Sequence, residues 1–524
     1  MTDPWHHLPL PPEEPPPPPV VEVPDTLAVT EAPIAVPLPP PVIEPVRRGV
    51  TWIAWLVILA VTAFLVLAPL LLDRGVSDPR QIDRISGVLM QFQTRYALGA
   101  GELFKTADLK ESLLGQLREL GRGSVIQRLR FAIVAGEFQG PNAALEELNA
   151  LEADASQHAY QFRPEEQRLL TSLTSLYQQY REGRLAAPGL SAEQRDELRS
   201  ALGWFAELAL YPQGGPDAQA RQQILAGAKR TFVITLVAVV LAALTAFAGA
   251  IGLFVLLILF ALGWLRGGLR TGSFHHGVYA ETFALYMVLF VLLQVGVSFS
   301  PIPPEYELFA LGMTMLASLV VLIWPVMRGI PWKVVRRDIG LTWGRRPWAE
   351  PLIGFGCYAM GLPMLVVGVI LTFVLMAVQQ MIQTALFGPQ PDNPFDPRLT
   401  SPTHPVLEYL ASGSWWARFQ VLFVAAVCAA IVEEIMFRGV FYRHVREATR
   451  GLGPIFSFLV SMFVVSFIFA IIHPQGWVAT PALMALAFAF TIAREWRNSV
   501  VPGIFAHALN NGLLMLMVIL ATSG

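Results

Sequence analysis

Apolar residues come in nine long stretches, and polar residues gather in only a few blocks between them. The stretches are Val50–Leu72, Thr231–Leu265, Val278–Phe299, Leu308–Met327, Leu352–Val378, Trp416–Phe441, Ile455–Ile472, Trp477–Ile492 and Val500–Ala521. Runs of about 20 apolar residues have the length of a membrane-crossing helix. An all-α polytopic bundle of about nine spans is therefore expected. The stretch 231–265 is long enough for one tilted helix or for a tight hairpin turning at Gly249 and Gly252.

Residues 73–230 break the pattern. They are charged and rich in Gln and Leu, with helical spacing at Leu113, Leu117 and Leu120 and again at Leu145, Leu148 and Leu151. They predict a soluble α-helical domain inserted after the first span. The segments Ala132–Leu151 and Leu169–Arg184 suggest helix pairs of the tetratricopeptide kind, although no regular 34-residue period can be traced. Residues 1–48, with proline runs near 15–19 and 37–41, favour polyproline II over a packed core and read as a disordered arm. The domain plan is thus an arm (1–48), a first span (49–72), the helical domain (73–230), helices with a basic loop (231–349) and a membrane core (350–524). No cleavable signal peptide is visible, because the first apolar run begins about 50 residues in.

Charge orients the bundle. The basic loops are 328–346, with Arg328, Lys333, Arg336, Arg337, Arg345 and Arg346, and 438–450, with Arg438, Arg443, Arg446 and Arg450. Arg494 and Arg497 mark a third. The loops 300–306 and 379–415 are nearly free of Lys and Arg. By the positive-inside rule the basic loops face the cytoplasm. Taking 231–265 as one span also places Arg47 and Arg48 inside. A multi-pass protein of the cell (inner) membrane is expected, with a cytoplasmic N-terminus and residues 73–230 outside the cytoplasm.

The chain is 54% hydrophobic and 15% charged, with a formal net charge of −2. A soluble chain carries about 25% charged residues, and a near-neutral balance implies no nucleic-acid partner. Cys357 and Cys428 both lie in apolar stretches, so a structural disulfide is not expected.

Chemistry enters where charge interrupts the last apolar stretches. Glu433 and Glu434 follow the run Phe419–Val432 and begin the pattern E-E-x-x-x-R that ends at Arg438. Ionisable side chains at membrane depth are costly and point to function. Glu434 and Arg438 are spaced i, i+4 with the acid first, the favourable order for an ion pair. A carboxylate such as Glu433 in a poorly hydrated site is suited to general-base work; the bland alternative is a structural Glu–Arg pair. His473 lies one turn after Phe469 and just before Pro474, where a helix must stop or kink. His507 and Asn511 share a helix face, and an imidazole beside an amide is a credible oxyanion hole. Straight helices would leave Glu433 and His473 more than about 10 Å apart, so steep tilt, or a break at His473–Gly476 that dips into a cavity, is required.

Taken together, E-E-x-x-x-R, F-x-x-x-H (Phe469, His473) and H-x-x-x-N (His507, Asn511), in that order, resemble the type II CAAX prenyl endopeptidases. This family is also known as the CPBP or ABI family of intramembrane proteases. The resemblance is strong over about 350–521 and looser from 278; it does not extend to the arm or to 73–230. It implies peptide-bond hydrolysis of membrane-associated protein or peptide substrates within the bilayer. It implies that Glu433 and His473 activate water, that His507 and Asn511 stabilise the oxyanion, and that Glu434, Arg438 and Phe469 support the site. The family is better described as glutamic than metal-dependent, so no cofactor is expected; a zinc ion would have to be held by Glu433, His473 and His507. Eukaryotic members trim prenylated C-terminal tripeptides, and others are linked to peptide processing, bacteriocin self-immunity and signalling. The helical domain offers a surface for a protein partner. Two other readings are a non-enzymatic scaffold or signalling/immunity protein with a helical ectodomain, and a proton-coupled transporter. The transporter reading predicts an inverted repeat, and no second acidic motif is present.

Overall fold

The computed structural model describes residues 50–72, 79–104, 121–185, 189–263, 277–343, 347–388 and 414–522, together with positions 114, 115, 117, 118, 275 and 395. The proline-rich arm, and Arg345 and Arg346 of the basic loop, lie outside the described residues. Among the described residues there are helices and turns but no strand, and nine helices are long and apolar enough to cross a membrane. The protein is a multi-pass membrane protein. The lipid-facing surface of these helices is consistent with this. Phe247, Phe254, Val367, Phe373 and Phe456 are all more than half exposed, a cost that only a hydrocarbon solvent removes.

The first span is α1 (Thr51–Leu72). It is followed by α2 (Pro79–Phe104), α3 (Val125–Gln139), α4 (Pro141–Gln157), α5 (Pro164–Arg181), α6 (Ala192–Leu202) and α7 (Trp204–Leu210). Local sequence sets these boundaries. Ser124 and Ser191 accept from the backbone N–H of Gln127 and Gln194 as N-caps. Pro141 and Pro164 occupy the first helical positions, where a missing N–H costs nothing. The leucines at 145, 148 and 151 turn inward together with Leu129, Leu170, Leu173 and Leu176 to form a core separate from that of the membrane helices.

The long stretch after this core is one helix, α8 (Ala218–Ala261), with no hairpin at Gly249. A Cβ at Gly249 would lie 1.8 Å from the Ala359 carbonyl oxygen, so this glycine serves close helix packing rather than a turn. The helix begins thirteen residues before the apolar stretch. Its first turns pack on α2, where Gly99 meets the Ala228 carbonyl, and Arg221 pairs with Glu137 of α3. The same helix therefore links the polar core to the membrane.

The remaining spans are α9 (Val278–Ser298), α10 (Pro304–Met327), α12 (Glu350–Phe387), α13 (Trp415–Ala448), α14 (Pro454–Ile471), α15 (Thr480–Arg497) and α16 (Val501–Thr522), with the short α11 (Trp332–Asp338) after α10. Two loops expected from charge are shorter than the sequence suggests. The 379–415 loop begins only after Phe387, because the polar residues near Gln379 continue α12. The 438–450 loop is mostly helix: α13 runs on to Ala448, with Arg438, Arg443 and Arg446 buried along it. Each is neutralised within the protein: Arg438 by Glu434, Arg443 by Asp338 and Arg446 by Glu495. Tertiary carboxylates, not solvent, hold these cations, so composition alone misplaces the helix end.

Candidate functional site

The site is built on α13. This helix departs twice from regular α-geometry, with π-helical turns at Phe423–Ala429 and at Glu434–Phe441. Wide turns of this kind are commonest at functional sites, because they re-aim side chains and loosen the backbone ladder. Glu433 ends the regular turn between them, and Glu434 begins the second wide turn. Because α13 is 34 residues long, Glu433 lies near its middle rather than near its end. The shorter α14 runs back alongside and stops level with it, and the turn at His473–Gly476 leads into the next helix. The break at His473–Pro474 thus lies at the depth of Glu433, and the gap anticipated for straight helices closes. His473 Nε2 is 3.8 Å from Glu433 Oε2.

His507 of α16 completes the cluster. Its Nε2 also lies 3.8 Å from Glu433 Oε2, and its Nδ1 is 3.1 Å from Glu434 Oε1. Glu434 is paired with Arg438 at 2.9 Å, and both side chains are fully buried. Two carboxylates and one guanidinium leave a formal net charge of −1 in this membrane-buried cluster, which one added proton would neutralise.

Partner chemistry assigns the tautomers. His473 Nδ1 is 2.5 Å from the Phe469 carbonyl oxygen, which can only accept, so Nδ1 carries hydrogen. In the neutral ring Nε2 is then a lone pair aimed at Glu433. Likewise His507 Nδ1 donates to the ion-paired Glu434 carboxylate, which leaves Nε2 facing Glu433. Neutral His507 therefore presents an acceptor, and only its imidazolium form can donate to an oxyanion. The 3.8 Å separations are too long for direct hydrogen bonds and suit an intervening water. Glu433 Oε2 itself is buried and makes no direct hydrogen bond.

Aromatic rings fix this arrangement. The Arg438 guanidinium lies 4.2 Å from the Phe469 ring centroid and 5.5 Å from that of Phe490. Phe469 also packs on His473 at 4.3 Å, and Phe490 stacks on His507 at 5.3 Å. Spacing alone marks Phe469 as a neighbour of His473. The structure adds that it covers the buried cation, an interaction worth up to about 2 kcal/mol when desolvated.

Asn511 stands apart from the cluster. Its Nδ2 donates to the Ala425 carbonyl at 2.9 Å, two turns before Glu433, and its Oδ1 accepts from Asn510. An amide has two N–H groups, so this anchor leaves a second donor to offer.

Three contributors are not apparent in the sequence reading. Phe490 has no motif. Gly503 lies four residues before His507, and a Cβ there would come within 2.8 Å of Glu434 Oε2; the i, i+4, i+8 series Gly503, His507, Asn511 is the signal that could have found it. Arg494 braces the site from below. It donates to the carbonyls of Arg438 and Asp338 at 3.2 and 2.8 Å. Asp338 in turn meets His275 Nε2 at 2.8 Å and the Tyr279 hydroxyl at 3.1 Å. Burial alone would raise the Asp338 carboxyl, but these hydrogen bonds and Arg443 hold it below its usual range.

The donor set at Glu433 bears on a metal. Glu433 Oε2 and the two Nε2 lone pairs are chemically suited to zinc, and each histidine has its other nitrogen fixed by a hydrogen bond, as metal ligands do. Among the described residues, however, no three His, Cys, Asp or Glu side chains converge as a preformed ion site.

Residues 414–513 match the family model described as type II CAAX prenyl endopeptidase Rce1-like, so the segment that holds the cluster carries an Rce1-like domain. Among curated proteins, the chain is similar to the membrane-embedded CAAX protease MroQ of Staphylococcus aureus (strain USA300), with 22% identity over 159 residues. That alignment covers 30% of this chain and 59% of the relative, so the chain spans about three fifths of the relative's length. No solved structure matches the chain.

Proposed function

We propose that this protein is an intramembrane endopeptidase that hydrolyses peptide bonds of membrane-associated proteins or peptides by a glutamic mechanism. The observation that carries the reading is the convergence of two histidine Nε2 atoms on one buried carboxylate oxygen of Glu433, within the segment that matches a protease family.

A water between Glu433 and His473 loses a proton to the Glu433 carboxylate as its oxygen attacks the scissile carbonyl carbon. The carbonyl π electrons move to oxygen and form the tetrahedral oxyanion. His507, carrying the proton that neutralises the cluster, donates to that oxyanion through Nε2. Asn511 contributes its second amide N–H from one turn further along. Collapse of the intermediate breaks the C–N bond, and the proton on Glu433 passes to the leaving amine. Glu434 and Arg438 do not touch the substrate in this scheme; they hold His507 and the backbone of α13 in register. Zinc, if it bound, would be held by Glu433, His473 and His507 and would supply Lewis-acid activation of the water.

The orientation belongs to the same proposal. Phe395, between α12 and α13, packs into the core formed by α3 to α5. Phe395 and the helical domain therefore share one side of the membrane. Sharing one side demands an even number of crossings between them; α8, α9, α10 and α12 supply four only if α8 is a single span, in agreement with its unbroken helix. With Lys333, Arg336 and Arg337 in the cytoplasm, the N-terminus is cytoplasmic and the helical domain extracytoplasmic.

The test is cleavage of a membrane-peptide library by the purified protein in nanodiscs, comparing wild type, Glu433→Ala and His473→Ala with and without a chelator. Loss in both variants with indifference to chelator supports the glutamic reading. Loss with chelator and recovery with zinc moves the chemistry to a metal. Equal cleavage by wild type and Glu433→Ala refutes the proposed site.

A further inference from the structure

Phe395 lies in the sequence Pro391-Asp-Asn-Pro-Phe-Asp-Pro397, between two membrane helices, yet it is only 9% exposed. Its ring is stacked on Tyr160 at 4.4 Å with an interplanar angle of 7°. The Arg128 guanidinium lies 5.4 Å from its centroid, and His158 meets it edge-on at 6.4 Å. Parallel stacking together with a cation over a ring is how proteins recognise an aromatic side chain rather than merely bury one.

Directly beside this clamp the helical domain has a polar cleft of about 470 Å³, lined by Arg118, Arg122, Arg128, Glu147, Asp154 and His158 among others. Arg128 is shared between the clamp and the cleft, where it pairs with Asp154 at 2.6 Å. Arg118 pairs with Glu147 across it at 2.7 Å. The lining is therefore built of formed ion pairs with carboxylate-binding guanidinium groups. The chain segment that supplies the ring has an aspartate three residues before Phe395 and another immediately after it. The cleft carries three guanidinium groups against two carboxylates, an excess of one positive charge that suits an acidic segment.

We propose that the clamp and cleft on α3 to α5 form a binding site for an extended peptide with a phenylalanine flanked by acidic residues, and that Phe395 is its intramolecular occupant. A partner protein of this sequence chemistry competes with Phe395 for the site. The site itself is independent of the protease reading.

A tethered segment presents itself at an effective concentration on the order of millimolar. Against an intrinsic affinity of about 100 µM, typical of a single-anchor peptide, it weakens an added competitor about tenfold. The experiment uses the full-length protein in nanodiscs and a fluorescein-labelled heptapeptide of residues 391–397. Phe395→Ala is expected to bind the peptide about tenfold more tightly than wild type. Adding Tyr160→Ala to that variant removes the binding, and so does replacing the peptide's phenylalanine with alanine. A second measurement avoids any folding defect in Phe395→Ala. A heptapeptide with benzoylphenylalanine at the aromatic position is photo-crosslinked to wild-type protein, with attachment expected within residues 125–160 and suppressed by excess unlabelled peptide. Equal affinity of wild type and Phe395→Ala, or binding that survives Tyr160→Ala, overturns the proposal. So does the absence of both binding and crosslinking, which would leave Phe395 as core packing only.

Discussion

Replacing Gly503 by alanine tests the assembled site at a position that no motif identifies. The new Cβ would lie 2.8 Å from Glu434 Oε2, short of ordinary van der Waals contact by at least about 0.6 Å. The carboxylate is the end of a flexible side chain, but it is not free to yield. Its other oxygen, Oε1, is held by Arg438 at 2.9 Å and by His507 at 3.1 Å, and the side chain is fully buried. A comparable shift lengthens one of these contacts beyond hydrogen-bond range and turns His507 away from Glu433. Overpacking of this kind costs about 1–3 kcal/mol. The substitution also removes a helical glycine from α16, which returns about 1 kcal/mol, so the net destabilisation is about 0–2 kcal/mol. Catalysis is more sensitive, since displacement of about 1 Å can cost 100-fold. The expected result is a small fall in Tm, read by tryptophan fluorescence in nanodiscs, with peptide cleavage reduced about 10- to 100-fold. The decisive arm places Gly503→Ala in a Glu434→Ala background. With the carboxylate gone, only the helix-propensity term remains, and the substitution becomes stabilising by about 1 kcal/mol. If Gly503→Ala lowers stability equally in both backgrounds, the clash is not with Glu434 and the reasoning fails.

Other consequences follow from the same contacts. Arg438→Met removes the partner of a buried carboxylate and is expected to cost about 3–5 kcal/mol, whereas Arg438→Met with Glu434→Gln recovers most of that loss; thermal unfolding of the two variants compares them. Phe490→Leu keeps apolar volume but loses the ring over Arg438 and against His507, so cleavage should fall well beyond a stability loss of about 1–2 kcal/mol. Because the Asp338 carboxyl is held below its ordinary 3.8, its contribution is fully present above that pH and declines as pH falls through the lower folded-state value. The Tm difference between wild type and Asp338→Asn should therefore be constant near neutrality and shrink only below about pH 4; a difference that grows on acidification contradicts the hydrogen-bond network. Arg221→Met breaks the buried pair with Glu137 that ties α8 to the helical domain, and should raise proteolytic nicking of residues 79–215 while leaving the membrane core intact.

The apolar pattern by itself determined the number of spans, their order and the existence of a separate polar helical segment, because burial in hydrocarbon demands long uninterrupted apolar helices whatever their neighbours. It also singled out Glu433, Glu434, Arg438, Phe469, His473 and His507 as candidates, since charge and imidazole at membrane depth stand out in composition and helical spacing predicts which share a face. Tertiary structure decided what one-dimensional patterns cannot encode. The end of α13 moved because carboxylates far along the chain neutralise its arginines, so buried cations read as a loop. Whether 231–265 turned at its glycines depended on the Ala359 backbone packed against Gly249. The direction of Asn511 toward Ala425 depended on the wide turns of α13. The approach of His473 to Glu433 depended on a short helix ending beside the middle of a long one, and the shielding of Arg438 on Phe490 from a third helix. Residue type and local period report the cost of burying a side chain; which partner meets that cost is a property of how helices of different length are stacked.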